Sequence, residues 1–411
     1  MTLKDITGET LYRILLSVGY LAVRNAIGKY VLRSTRCLKL CLIRLGFKRY
    51  FFVAMVAISR DTPSIMTGGL QIIPLSAPQP VKIGNSYYCE FLRRSRFFSG
   101  CVYTPREIFV SVLRGAKFHA QSGVLALADN RLILESALEE GRMRAMGPVH
   151  DLIPRSPKSV FGTSASIWHG WGYNYYHWWI DCLPRLYSLI KAFGDKEITL
   201  LMPHDLRTFQ KESLECCLPE NFQLRYVEKG AWYKAEEFLF PSFITWKACG
   251  YLPKEYLAFI RRGVFQSLGV PLEFHRKHNI YISRGKARWR RILNEDAVID
   301  LLEDYGFRSY ALEELSLREK VELFRNANIV IGPNGSGFVN ILFAGQIKIL
   351  DILPTTIPET HIFFLSQCLG QSYYYMLGEG SNDKADRRID LRELRSVVDR
   401  MIDDPLDRFA A

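Results

Sequence analysis

The sequence predicts an α/β protein whose second half is a doubly wound parallel sheet. Three observations carry this. From residue 279 onward, short apolar runs alternate with amphipathic helical runs for more than 100 residues, the pattern of parallel strands joined by crossover helices. Helix punctuation falls between those runs: Asn294, Glu295 and Asp296 open one helix that Gly306 stops, and Ser316 with Glu319 makes a capping box. A chain of 411 residues also exceeds one ordinary core and suits two domains.

The elements follow in order. Residues 11–60 hold ten Lys or Arg and no Asp or Glu, among aliphatic and aromatic residues. The longest uncharged runs there, 14–23 and 50–59, have ten residues each, against the roughly 20 apolar residues that span a bilayer. Residues 1–61 are therefore expected to lie as a basic amphipathic helical segment on an anionic membrane surface. A basic face packed on the protein's own body is the alternative. Residues 62–86, rich in Pro, Ser and Gly, read as a linker that opens a first α/β domain, 62–270. Within it, "ADN" at 128–130 joins two β-rich runs as a hairpin. A helix is expected at 174–193, a strand at 197–203 and a helix near 205–217. Strands at 222–228 and 236–241 follow, then a helix over 254–268.

The second domain, 271–385, opens with a strand at 279–283. It continues through the helix after Asn294, the strand "FRSYAL", the helix after Ser316 and the strand "NIVIG". The helix "GFVNILFA", strand "IKILDIL", helix "PETHIFFLSQCLG" and strand "SYYYML" complete the alternation. A last helix, about 390–402, occupies a C-terminal segment, 386–411.

Composition narrows the function. A hydrophobic content of 48% fits a globular chain, and a net charge of +12 favours anionic partners. A nucleic-acid binder would interleave bases' stacking partners with its charge, and the 11–60 segment is too aliphatic for that. The nine cysteines are scattered with no Cys-x-x-Cys, a dispersed set that fits a reducing compartment and no zinc site. His275 and His278 are flanked by Arg276 and Lys277, which opposes metal binding.

Three stretches carry chemistry. In "VIGPNGSGFVN", 330–340, a strand ends at Gly332 and a glycine-bearing turn leads into a helix. Exposed amides at a helix start attract phosphate, and Gly335 and Gly337 let a ligand approach the backbone. The pattern is neither a P-loop nor Gly-x-Gly-x-x-Gly. In "YISRGKARWRRILNE", 281–295, five Lys or Arg fall within 284–291 directly after a strand, and arginine suits two-point contact with phosphate oxygens. Together the two loops suggest a nucleotide diphosphate site. In "NYYHWWIDCLPRL", 174–186, His177 and Asp181 share one helical face among aromatics. A carboxylate can orient an imidazole as a general base, although such an aromatic stretch equally suits a core. The chain has no Asp-x-Asp, the paired carboxylates a metal-held nucleotide usually needs.

In this order the segments resemble family 61 glycosyltransferases over roughly residues 100–380. The first family segment is matched by Asn174, Tyr176, His177, Trp178, Asp181, Leu183, Pro184 and Arg185. The second is matched by Tyr281 to Arg284, Arg290, Asn294 and Glu295, and the third by Gly332, Gly335, Gly337 and Asn340. Asn334 stands where the family usually has His, and Ser336 where it has Ala.

The resemblance implies a GT-B fold, two Rossmann-like domains facing across a cleft, with the donor nucleotide on the second. It implies an inverting, metal-independent hexosyl- or pentosyltransferase that uses a nucleotide-sugar, expected UDP-type, and no cofactor. The acceptor is then a glycan hydroxyl, and the setting capsule or exopolysaccharide assembly at the cytoplasmic membrane face. Expected catalytic residues are His177, Asp181 and Glu295. Ser283, Arg284, Arg290, Asn294, Asn334, Gly335, Ser336, Gly337 and Asn340 are expected at the donor nucleotide. Asn174, Tyr176, Trp178 and Arg185 are expected at the acceptor or sugar. The departures at 334 and 336 leave a catalytically inactive sugar-binding scaffold as the alternative. Donor sugar, linkage and oligomeric state stay open.

Overall fold

The computed structural model describes residues 55–56, 70–82, 86–94, 101–137, 156–245, 250–354, 359–380 and 382–405. The basic segment expected at 1–61 lies outside these, apart from the short strand Met55–Val56. No helix among the described residues is long and apolar enough to cross a membrane.

Two sheets organise the chain. The first has ten strands. Those of three or more residues are β1 (Leu70–Ser76), β2 (Ile108–Arg114), β3 (Lys117–His119), β4 (Lys158–Ala165), β5 (Ile198–Pro203), β6 (Phe222–Val227) and β7 (Trp232–Pro241). β7, β4, β5 and β6 lie side by side in parallel. On its other edge β7 pairs antiparallel with β2 and β3. This antiparallel flank was not expected from the sequence. Part of it, β1, falls in the stretch expected as a linker. Pro74 within β1 is tolerated because this strand pairs with β2 alone, and a register shift falls between Pro74 and Ser76. The "ADN" hairpin forms as expected, with Leu125–Ala126 antiparallel to Leu132–Ile133 and Asn130 in the left-handed region at φ 70°.

The second sheet has five strands: β8 (His278–Ile282), β9 (Phe307–Tyr310), β10 (Ala327–Pro333), β11 (Lys348–Leu353) and β12 (Ser372–Leu377). All neighbours are parallel, in the order β9–β8–β10–β11–β12. Every residue of β11 is buried, as in a sheet covered on both faces. The predicted doubly wound sheet is therefore present strand for strand.

The helices are α1 (Ser86–Arg94), α2 (Pro184–Phe193), α3 (Thr208–Glu215), α4 (Lys254–Ser267), α5 (Glu295–Glu303), α6 (Leu317–Arg325), α7 (His361–Cys368) and α8 (Leu391–Asp403). The capping box at Ser316 and Glu319 forms. Asn294 precedes α5 but makes no cap; its side chain bridges Ile389, donating to its carbonyl and accepting from its amide, both at 2.9 Å. The helix expected after Gly337 is a 3₁₀ segment, Ser336–Phe343. The C-terminal α8 is not a separate unit: Leu394, Val398 and Met401 share a core cluster with Leu350, Tyr374 and Met376 of the second sheet.

The two halves interlock. Phe91 of α1, early in the chain, packs on Phe363, Tyr373 and Tyr375 with ring centroids 5.3, 5.5 and 4.8 Å away. The Arg261 guanidinium of α4 donates to the carbonyls of Leu342 and Ala344. One continuous buried cluster spans both sheets. Cys101 is disulfide-bonded, so the dispersed cysteines are not all free thiols as their spacing suggested; Cys182, Cys216, Cys217 and Cys368 are free.

Trp178 is fully buried in that cluster, and its Nε1 donates to Ser213 Oγ at 2.7 Å. Trp178→Ala is expected to cost about 3–5 kcal/mol, the range for emptying a large buried aromatic site. Urea unfolding checks this; a loss below about 1 kcal/mol would mean that the site refills, as exposed positions do.

Candidate active site

Each sheet has one point where strand order reverses, and both lie at the carboxyl ends of strands. In such sheets ligands bind in the crevice at that point. In the first sheet it falls between β4 and β7, and in the second between β8 and β10.

The chain leaving β4 carries His169, and the chain leaving β7 carries Thr245. Between them stands the stretch after Asn174. Asn174 Oδ1 accepts from the amides of Tyr176 and His177, at 2.9 and 3.4 Å, and starts a short helical turn, Tyr175–His177. The next five residues, Trp178–Cys182, form a π-helical turn in which the Leu183 amide reaches back to the Trp178 carbonyl at 2.9 Å. The expected single helix over 174–193 is thus three pieces, ending in α2.

His177 Nδ1 donates to Asp181 Oδ2 at 2.6 Å. Asp181 is only 3% exposed, and its other oxygen accepts from Thr245 Oγ1. Burial alone would raise this carboxyl. The His177 hydrogen bond, the electrostatic attraction of His177 and the Thr245 bond outweigh it and hold the carboxyl below its ordinary value. An ionised Asp181 fixes the His177 tautomer and leaves Nε2 as the basic nitrogen. The His169 ring lies 5.9 Å from that of His177, and its Nδ1 accepts from the Trp171 amide at 3.3 Å. Burial lowers His169 to about 3, so it is neutral.

His169, His177 and Asp181 offer ligand atoms within 4.8 Å of one another, the donor set of a transition-metal site. The charge balance opposes a divalent ion there. Both Asp181 oxygens are already committed, and no second carboxylate joins the trio. The Arg185 guanidinium, 2% exposed, acts on His169 and Asp181 from nearby.

The facing side, where the donor nucleotide is expected, comes from the second sheet. After β8, the Arg284 guanidinium donates to the Trp289 carbonyl, Nη2 at 2.9 Å. It lies flat against Gly335, where an added Cβ would come within 2.4 Å of its Nη1. Glu295 Oε1 accepts from the Arg284 amide and the Tyr281 hydroxyl, both at 3.0 Å. Ser283 Oγ accepts from the Gly285 amide at 3.1 Å. After β10, Asn334 takes a hydrogen bond on Oδ1 from Arg290 at 2.9 Å and gives one from Nδ2 to Asp351 at 3.0 Å. Asn340 is fully buried; it donates to the Gly337 carbonyl at 2.8 Å and accepts from the Tyr175 hydroxyl at 2.7 Å. That bond ties the glycine turn to the wall across from it.

The two sides meet in a cavity of about 200 Å³. Its lining joins Asn174, Tyr176 and His177 to Arg290, Asn334, Gly335 and Ser336, and adds Glu359, His361 and Ile362. Seven residues singled out in the sequence thus converge. Others named with them support the walls. Trp178 and Arg185 are in the core, not at an acceptor surface. Arg185 donates to the carbonyls of Ile167 and Pro241, at 3.0 and 2.6 Å, and so clamps the chain leaving β4 to the end of β7. Glu295 is spent on the arginine loop, Asn294 on Ile389, and Asp181 on His177 and Thr245. Sequence reasoning missed His169, Thr245, Asp351, Glu359 and His361. The signal for His169 was its place in the aromatic run; the others are joined to the site only through the fold.

Asp351 shows how this wall is held. Burial pushes its carboxyl up to about 7, against hydrogen bonds from Asn334 and Tyr373, each 3.0 Å from Oδ2. Below this value the folded protein binds a proton that the unfolded chain, with a carboxyl near 3.9, has lost. Stability therefore falls as pH rises from about 4 to about 7. Asp351→Asn removes that term. Its melting temperature relative to wild type is expected to climb between about pH 4 and about pH 7; a constant difference would place the titration elsewhere.

No curated protein matches the chain. A family model described as Glycosyltransferase 61 matches residues 175–348, a span that runs from the His177 wall through the arginine loop to the glycine turn, so this part of the chain carries a family 61 glycosyltransferase domain.

Proposed function

We propose that the protein transfers a hexosyl or pentosyl group from a nucleoside diphosphate sugar, of UDP type, to a glycan hydroxyl, with inversion and without a metal. The observation that carries this is the cavity itself: a carboxylate-oriented imidazole faces an arginine fork and a glycine turn across about 200 Å³. The acceptor hydroxyl loses its proton to His177 Nε2 as its oxygen attacks the anomeric carbon. The bond from that carbon to the diphosphate breaks on the opposite face, and the leaving oxygens gain charge. Arg290, Arg284 and the amides at 335–337 receive it. Asp181 orients His177. Two such domains facing across a cleft would be a GT-B arrangement.

A role in capsule or exopolysaccharide assembly, at the cytoplasmic face of a membrane touched by residues 11–60, belongs to the same proposal. The support is the uncompensated basic charge of that segment. Incubation with a panel of nucleotide-sugars, read as released nucleoside diphosphate with and without chelator, tests the reaction. Turnover abolished by chelator would refute the metal-free route. Tight nucleotide binding with no turnover on any donor would instead mark an inactive scaffold.

A further inference from the structure

Glu359 lies in the cavity with no part in the chemistry above, and it is engaged. Arg290 Nη2 donates to Glu359 Oε1 at 2.8 Å and Nη1 to Oε2 at 3.2 Å. This is the two-point geometry in which arginine holds a phosphate. The same Nη1 also serves Asn334. The Arg290 fork is therefore engaged by the protein's own carboxylate.

We propose that Glu359 determines which anions the donor site admits, giving up Arg290 to a diphosphate far more readily than to a single phosphate. This rests on the donor site proposed above. Arg290 is the fixed partner: its backbone is in the left-handed region at φ 61°, and its amide donates to the Lys384 carbonyl at 3.0 Å. Glu359 is the exchangeable one. The two side chains are 33% and 39% exposed, so their pairing competes with water and is weak. A lone phosphate on Arg290 replaces one charge-assisted pair with another and gains little. It also sits beside the displaced carboxylate. A diphosphate adds Arg284 and the turn amides, contacts that Glu359 does not occupy.

Calorimetric titration of the full-length protein with orthophosphate, pyrophosphate and UDP tests this in wild type, Glu359→Gln, Arg290→Ala and the double variant. Glu359→Gln is expected to tighten orthophosphate about fivefold and pyrophosphate and UDP about twofold. Discrimination between one phosphate and two therefore narrows. In the Arg290→Ala background the same change should have no effect, because no fork remains to release. Unchanged affinities in Glu359→Gln overturn the inference, and so does equal tightening with Arg290 absent, which marks a general charge effect. If neither wild type nor Glu359→Gln binds pyrophosphate or UDP, the donor site itself fails, and with it the role of Glu359.

Discussion

His177→Ala is expected to lower sugar transfer by about 10²- to 10⁴-fold, the usual contribution of a positioned general base. UDP binding should stay unchanged, because the imidazole's hydrogen-bond partner is Asp181, on its own wall of the cavity, and not Arg290. The loss should therefore appear in kcat. Asp181→Asn provides the companion measurement. Asp181 is buried, and both of its oxygens accept hydrogen bonds. An amide there can keep the Thr245 bond but turns the His177 tautomer the wrong way or leaves a polar group unpaired. Near-normal transfer by both variants, folded, would sink the assignment of the base.

Arg290→Ala is the second large effect, expected at about 10²- to 10³-fold in kcat/KM, the scale for removing one preorganised donor to developing charge. Arg290→Lys should recover little, since an ammonium cannot reproduce the two-point contact. The substitution also strips Asn334 of the bond that orients its amide. Asn334→Ala should thus share part of the defect. Loss of UDP affinity together with kcat is the signature to seek. A rate loss that UDP binding does not mirror would move Arg290 away from the leaving group.

Much of this was legible in sequence because local chemistry dictated it. The second sheet shows in period, caps and glycines: Ser316 with Glu319 and the turn at Gly335 appear where their residues require them. The His177 and Asp181 contact follows from a four-residue spacing. What stayed hidden depends on contacts distant in the chain. Thr245 reaches Asp181 across 64 residues and Glu359 reaches Arg290 across 69. Nothing in the sequence near either residue encodes such a partner. Trp178 and Arg185 looked like acceptor contacts because an aromatic, basic run reads the same whether it faces a sugar or a core. Burial separates them: both are under 3% exposed. The antiparallel flank was missed because β1 carries Pro74 and sits in a stretch whose composition is that of a linker.

The π-helical turn at Trp178–Cys182 adds an evolutionary and engineering consequence. A π turn is an α-helix carrying one surplus residue, and it persists mostly where a function retains it. Deleting one residue from this stretch would restore ordinary pitch and strengthen the local backbone hydrogen bonding. It would also rotate everything before the deletion by about 100° relative to α2, given 3.6 residues per turn. His177 would then lose its alignment with the cavity. A shortened variant that melts higher and transfers no sugar would expose that conflict directly.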